Sequence, residues 1–415
     1  MLNHNVKWVI LMYYDQRSES MKNAKYLIIG NGIAGLSAVK EIRKNDIDGS
    51  IIIISNEPYL TYYRTRLTES LYKGYEEKTI LVNKESWYSE NHIEVLLNKI
   101  VEKLDTKNSK IRLDDGMEIQ YEKLLIATGS RPFIPPVTGK FKQGVLALRT
   151  LRDLDYIKNY IEGKDSITVI GGGLLGLEAA WALKQLGKDV NVVEFAPYLL
   201  PRQLDEELSH KLEEKLAEEG FNLYLNAQAT EILGENVANG ILLNDGEEIK
   251  TDAVLFSVGI RPNLDLIRDT DIAHDKGILV NNNLRTNIDN VFAAGDVVEI
   301  NERIIGLWTA SNEQGKIAGK NMMGDNSEYQ EPNLYTSLQL GSIKLFSIGN
   351  INNPEEIYEY IDGDVHHKLF VKENNLIAAI LFGDVKEMGK VKTAVENRVD
   401  IDEYLKDKDH YRKVQ

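Results

Sequence analysis

Tyr26-Leu27-Ile28-Ile29-Gly30-Asn31-Gly32-Ile33-Ala34-Gly35 is a short apolar run that ends on three glycines spaced G-x-G-x-x-G. An amphipathic helical stretch follows to about Lys44, and Ile51 to Ile54 then reads as a buried parallel strand. In that setting Gly30 permits a tight turn, Gly32 lets the backbone approach a pyrophosphate, and Gly35 lets helix and strand pack closely. The helix N-terminus adds amide donors and the positive end of its dipole. A lone G-x-G-x-x-G is a weak signal, since any strand-glycine-helix corner mimics it. Here the strand before it, the helix after it and Glu57 beyond the second strand, an acid placed to accept from ribose hydroxyls, support a dinucleotide fold.

The same grammar returns downstream. Ile167 to Ile170 leads into Gly171-Gly172-Gly173-Leu174-Leu175-Gly176, a helix runs through Leu186, and Val190 to Val193 ends at Glu194. An acid there bonds the 2′-hydroxyl of NAD and repels the 2′-phosphate of NADP, so NADH is favoured; nearby Arg202 is the residue that would blunt the preference. Each unit is followed by a hairpin signal, Lys110 to Tyr121 around Asp115-Gly116 and Ile241 to Ile249 around Asp245-Gly246, and then by a buried strand reading, Leu124 to Gly129 and Ala253 to Gly259. Two nucleotide folds in one chain predict two nucleotides. Hydride transfer between their rings needs them in contact, which makes an oxidoreductase the natural expectation.

Composition bounds the alternatives. At 415 residues the chain suits two or three domains, and 43% hydrophobic with 27% charged residues is globular. Lys plus Arg number 49 against 64 Asp plus Glu, a net charge of −15, which argues against nucleic acid or an anionic membrane as a partner. There is no cysteine, which removes disulfides, cysteine-ligated metal sites, thiol nucleophiles and dithiol redox chemistry together; no metal site is read from the sequence. A reducing cytoplasm is the expected location. The apolar stretch Val6 to Tyr14 is shorter than the ~20 residues a membrane span needs, and residues 1–24 read as a leader without structural role. Beyond Gly324, short strand-like runs and a helix from about Val385 to Glu396 read as a small α+β domain, with Lys406 to Gln415 expected to be frayed.

The order GNGIAG (30–35), IATGS (126–130), GGGLLGLE (171–178), SVGIRPN (257–263) and AAGDV (293–297) resembles the FAD-dependent pyridine nucleotide-disulfide reductase superfamily over nearly the whole chain from Lys25. The stretches EPYLTYYRTRL (57–67), VVEFAPYLLPRQLD (192–205) and LIAAILFGDVKEMGKVKTA (376–394) are most similar to its NADH:rubredoxin reductases and to the flavoprotein portion of NirB-type nitrite reductases. The resemblance implies an α/β, glutathione-reductase-like architecture of two Rossmann-like domains plus a small C-terminal domain. Residues 25–136 and 257–324 then form the FAD domain, 137–256 the NAD domain and 325–415 the C-terminal domain. It also implies that Gly30, Gly32, Gly35, Glu57, Arg64, Thr128, Gly129, Gly295, Asp296 and Val297 bind FAD. Gly171, Gly173, Gly176, Glu194 and Gly259 match the NAD site. Glu178 matches an acid near the nicotinamide and Trp308 an aromatic near the isoalloxazine, with no residue assigned to a covalent step. Arg64 with Arg66 as a solvated pair, Asp296 as a turn acid and Trp308 as plain core are the bland competitors.

Two departures sharpen the expectation. Without a thiol, disulfide reduction and cysteine-dependent oxidase or peroxidase activity by their usual mechanism are excluded. In oxygenase-linked ferredoxin reductases a lysine pairs with the acid of GLE, whereas this chain has Glu69 at that place. The expected function is therefore an NADH-dependent reductase passing electrons through FAD to a small iron carrier such as rubredoxin. A thiol-independent NADH oxidase and an NADH-responsive redox-sensing interaction protein are the alternatives.

Overall fold

A computed structural model describes residues 21–331 and 334–415. Most of the expected leader, residues 1–20, lies outside the described residues. Its last part does not behave as a leader: Lys22–Ile29 is one strand, Lys22 to Ala24 pair with Ile119 to Tyr121, and Ala24 is buried.

That strand is central in a seven-stranded sheet. Spatial order is Ile93–Leu96, Ile51–Ile54, Lys22–Ile29, Glu118–Ile126, Lys110–Leu113 and Val101–Asp105, with Val291–Ala293 added parallel to Glu118–Ile126. The expected hairpin strand and the expected returning strand prove to be one continuous strand, Glu118–Ile126. Ile29 pairs with both Ile54 and Ile126, so three parallel strands end level with one another and Gly30 emerges at their carboxyl edge. Ligands bind at such an edge, where helix N-termini converge.

The second unit is a five-stranded sheet in the order Asn222–Tyr224, Asp189–Val193, Ser166–Ile170, Ala253–Phe256 and Val145–Leu146. The two first crossover helices, Ile33–Asn45 and Leu174–Gln185, start directly after the glycine turns. Helix Ile33–Asn45 lies against helix Trp308–Met322 along a seam of small residues. A Cβ on Gly315 or Gly319 would run into the backbone of Ala34 or Ala38, so only glycine allows the approach. This contact carries the N-terminal end of Trp308–Met322 to the mouth of the first turn.

The C-terminal sheet has six antiparallel strands in the order Tyr335–Leu340, Ile343–Gly349, Asn375–Phe382, Val365–Lys372, Glu356–Asp362 and Arg412–Lys413. Glu356–Asp362 and Arg412–Lys413 were not expected. The tail read as frayed is instead fixed: Tyr411 is buried against Tyr360 and His367, and Arg412 pairs with Glu359. Leu338, Leu345, Phe370 and Phe382 of this sheet share one apolar core with Leu177, Leu183, Leu208 and Leu212 of the second nucleotide unit. Burial of each such side chain is worth roughly 1.5–3 kcal/mol, so the C-terminal sheet and that unit stabilise each other.

Candidate nucleotide sites and the groove between them

The two glycine turns are built alike. Gly30 and Gly171 have φ of 116° and 114°, which only glycine adopts at low cost, and a Cβ on either would strike the carbonyl of Ala127 or Ser257. A Cβ on Gly35 would overlap the Gly30 carbonyl, and one on Gly176 the Gly171 carbonyl, which is the close helix–strand packing expected. Gly32 and Gly173 face open space. Both are N-caps without a side-chain bond to the helix, leaving the first-turn amides to a ligand.

From the first turn opens a groove of about 1720 Å³, larger than the 300–1,000 Å³ or so of a single small-molecule site. Of the residues singled out in the sequence, Gly30, Gly32, Glu57, Arg64, Thr128, Gly129, Gly295, Asp296, Glu178 and Trp308 line it. Gly171, Gly173, Gly176, Glu194 and Gly259 do not; the second unit reaches the groove through Leu174, Leu175, Glu178, Gln203 and Arg202, the cation that would blunt the Glu194 preference. Val297 is fully buried in the apolar layer beneath and offers its side chain to no ligand.

Asp296 is no ordinary turn acid. Its Oδ2 accepts from Arg149 at 2.6 Å and Ser130 at 3.0 Å, and its Oδ1 accepts from Ser311 at 3.0 Å. The preceding Gly295 amide donates to Gln314 at 2.8 Å, which locks the turn to helix Trp308–Met322. Thr128 bonds across to Asn263, tying the ATG segment to the end of the SVGIRPN stretch. Arg149 was not anticipated; it stands outside every motif, and only the fold brings it to Asp296.

Arg64 and Arg66 part company. Arg64 is paired with Glu57 and donates to Tyr62 Oη at 2.8 Å and the Arg149 carbonyl at 2.9 Å. Arg66 turns outward to the Thr79 carbonyl and the Tyr63 ring. Trp308 opens its helix 5.8 Å from the Tyr63 ring centroid and faces the groove.

Glu178 accepts a single bond, from Thr68 at 3.2 Å, and burial raises its pKa above the ordinary carboxylate value. Glu69 points elsewhere, to Lys73 at 2.6 Å. Glu194 spends both oxygens on backbone amides, those of Gly172 at 2.6 Å and Ala196 at 2.8 Å, which fixes a negative charge at the end of its strand.

Away from the groove, Glu207, Glu359 and His366 come within 4.8 Å of one another. Lys368 already occupies the carboxylates, bonding Asp205, Glu207 and Glu359 at 2.7, 2.5 and 3.0 Å. This is an ion-pair cluster joining the C-terminal sheet to helix Glu206–Glu218. Among the described residues no helix is long and apolar enough to cross a membrane.

Residues 24–315 match the family described as pyridine nucleotide-disulphide oxidoreductase, and residues 335–399 the rubredoxin NAD+ reductase C-terminal domain. The chain is 34% identical to the NADH-rubredoxin oxidoreductase of Clostridium acetobutylicum, over 92% of this chain and 97% of that protein. The crystal structure of that enzyme superimposes with a TM-score of 0.77. A nitrite reductase [NAD(P)H] of Bacillus subtilis is 35% identical over 93% of this chain, which spans only 49% of that longer protein. Groove, paired glycine turns and matched family agree: the chain belongs to the pyridine nucleotide-disulphide oxidoreductase family, with FAD as its cofactor.

Proposed function

We propose that this protein is an NADH-dependent reductase that passes electrons through FAD to a small iron electron carrier such as rubredoxin. The observation that carries the reading is the continuity of one groove from the first glycine turn, past Asp296 and Trp308, to Glu178 of the second unit. The near-complete coverage of the Clostridium acetobutylicum NADH-rubredoxin oxidoreductase supports the choice of carrier. Bound FAD supplies the hydride acceptor and the means of releasing two electrons one at a time.

The chain's own residues orient and shield. The amides after Gly32, with Arg64 and Arg149, would offset the charge of the FAD diphosphate, and Asp296 would accept from the ribityl chain. Glu194 admits NADH and repels the 2′-phosphate of NADPH. Leu174, Leu175 and Glu178 would border the nicotinamide and, covered by it, exclude water, which hydride transfer needs more than it needs a proton donor. In this reading residues 25–136 and 257–324 hold FAD, 137–256 hold NADH, and 325–415 form the terminal domain in a cytoplasmic enzyme.

Stopped-flow flavin absorbance tests it. Stoichiometric NADH should bleach the flavin; mixing with rubredoxin under nitrogen should restore the colour fast, and air-saturated buffer slowly. The reverse order would make the protein an oxidase, and no bleaching would end the hydride-transfer reading.

A further inference from the structure

The two nucleotide units differ at the residue that follows the second strand. Gly30 N–H bonds the Ile54 carbonyl at 2.8 Å just as Gly171 N–H bonds that of Val193, so the counterpart of Glu194 is Ser55, and Glu57 lies two residues further on. Packing fits this exchange. A Cβ on Gly172 would come within 2.5 Å of the Leu199 side chain and 3.0 Å of the Glu194 Cβ, so the second turn is closed to a side chain at this place. The first unit has Asn31 opposite, its Oδ1 accepting from Thr61 at 2.7 Å, and the residue after the strand is the smaller Ser55.

Glu57 is committed elsewhere. One carboxylate oxygen accepts from Arg64 and the other from Tyr62 Oη at 2.7 Å. Tyr62 Oη also accepts from Arg64 at 2.8 Å and from the Leu151 amide at 3.3 Å, and Arg64 donates to the Arg149 carbonyl. The network therefore closes on the segment whose Arg149 side chain holds Asp296. Losing the acid would leave the partly buried Arg64 guanidinium short of its charged partner, which costs more than a surface pair returns.

We propose that Glu57 is a positioning residue for Arg64, fixing that guanidinium and the Arg149 backbone on the groove wall, and not a ligand of the FAD ribose. The inference rests on FAD occupying the first unit.

The test uses deflavoprotein titrated with FAD and with FAD lacking the adenosine 2′-hydroxyl, read by quenching of flavin fluorescence. Glu57→Gln is expected to weaken FAD about tenfold, the scale of one charge-assisted bond. The ratio of the two affinities should stay that of the wild type. In an Arg64→Met background the same substitution should change affinity less than about twofold, because residues acting through one another are not additive. Tyr62→Phe, a milder change at the same node, should also lose its effect in that background. Loss of the 2′-hydroxyl discrimination in Glu57→Gln, or additive effects with Arg64→Met, would overturn the proposal. Failure of the wild-type deflavoprotein to take up FAD would instead sink the assignment of the first unit.

Discussion

Arg149 donates to Asp296 Oδ2 at 2.6 Å across 147 residues of sequence. The bond ties the loop after strand Val145–Leu146 of the second nucleotide unit to the acid that follows Gly295 in the groove. Both side chains are mostly shielded, 25% and 11% exposed, so the pair is not a screened surface bridge. Arg149→Met keeps the stem and removes the charge. It is expected to weaken FAD binding by about ten- to hundredfold, the range for a lost hydrogen bond to a charged group. Reconstitution of deflavoprotein measures it, and an unchanged dissociation constant would relegate Arg149 to the scaffold.

The strands and glycine turns were legible because their signals are local. A run of four isoleucines, 51–54, can only be buried on both faces, and G-x-G-x-x-G after a strand dictates its own geometry. Arg149, Ser130 and Ser311 were not legible, since they converge on Asp296 only after three distant segments meet. Glu57 was seen as an acid near the right place, yet its partner is decided by Arg64, which sequence spacing alone does not reveal. Strand Glu356–Asp362 escaped notice because its faces are only half buried, which blurs the alternation. Tyr411 shows the opposite error: a charged tail conceals one apolar residue that anchors it.

Glu194 sets cofactor choice by charge. Its oxygens are held by the Gly172 and Ala196 amides, so it cannot swing away from an incoming phosphate without breaking both bonds. Glu194→Gln keeps the size and removes the charge. The ratio of kcat/KM for NADH over that for NADPH should fall about tenfold, chiefly through a lower KM for NADPH. A preserved ratio in steady-state assays of both nucleotides would place the discrimination elsewhere.

Glu178 gives a pH dependence of definite sign. Burial raises its native pKa above the unfolded value of 4.5, with only the Thr68 bond opposing. The native state then holds a proton that the unfolded state has released, so the associated stability is present below pH ~4.5 and is lost as pH rises through the native pKa. Glu178→Gln has no such loss. Its stability relative to the wild type should rise with pH across that interval and stay level above it, as followed by thermal unfolding at successive pH values. Parallel curves would mean that Glu178 is solvated in the folded protein.

Lys368 is 6% exposed and is surrounded by Asp205, Glu207 and Glu359. Burial works against its charge, and the bonds to the three carboxylates more than compensate, raising its pKa. Beside it, buried His366 has its Nε2 3.8 Å from Glu359, and burial, helped by the Lys368 charge, lowers its pKa. Lys368→Met should therefore destabilise the protein by about 3–5 kcal/mol, the cost of stranding buried charge. Most of that cost comes from Asp205 and Glu359, since Glu207 is 60% exposed and water can solvate it. Adding Glu359→Gln to Lys368→Met should recover part of the loss, although Glu359→Gln alone should itself destabilise, because the pair is coupled. Flavin absorbance should be unchanged throughout, as the cluster lies outside the groove. Denaturant unfolding of the two single variants and the double variant measures the coupling, and strictly additive losses would show that Lys368 acts by packing instead of charge.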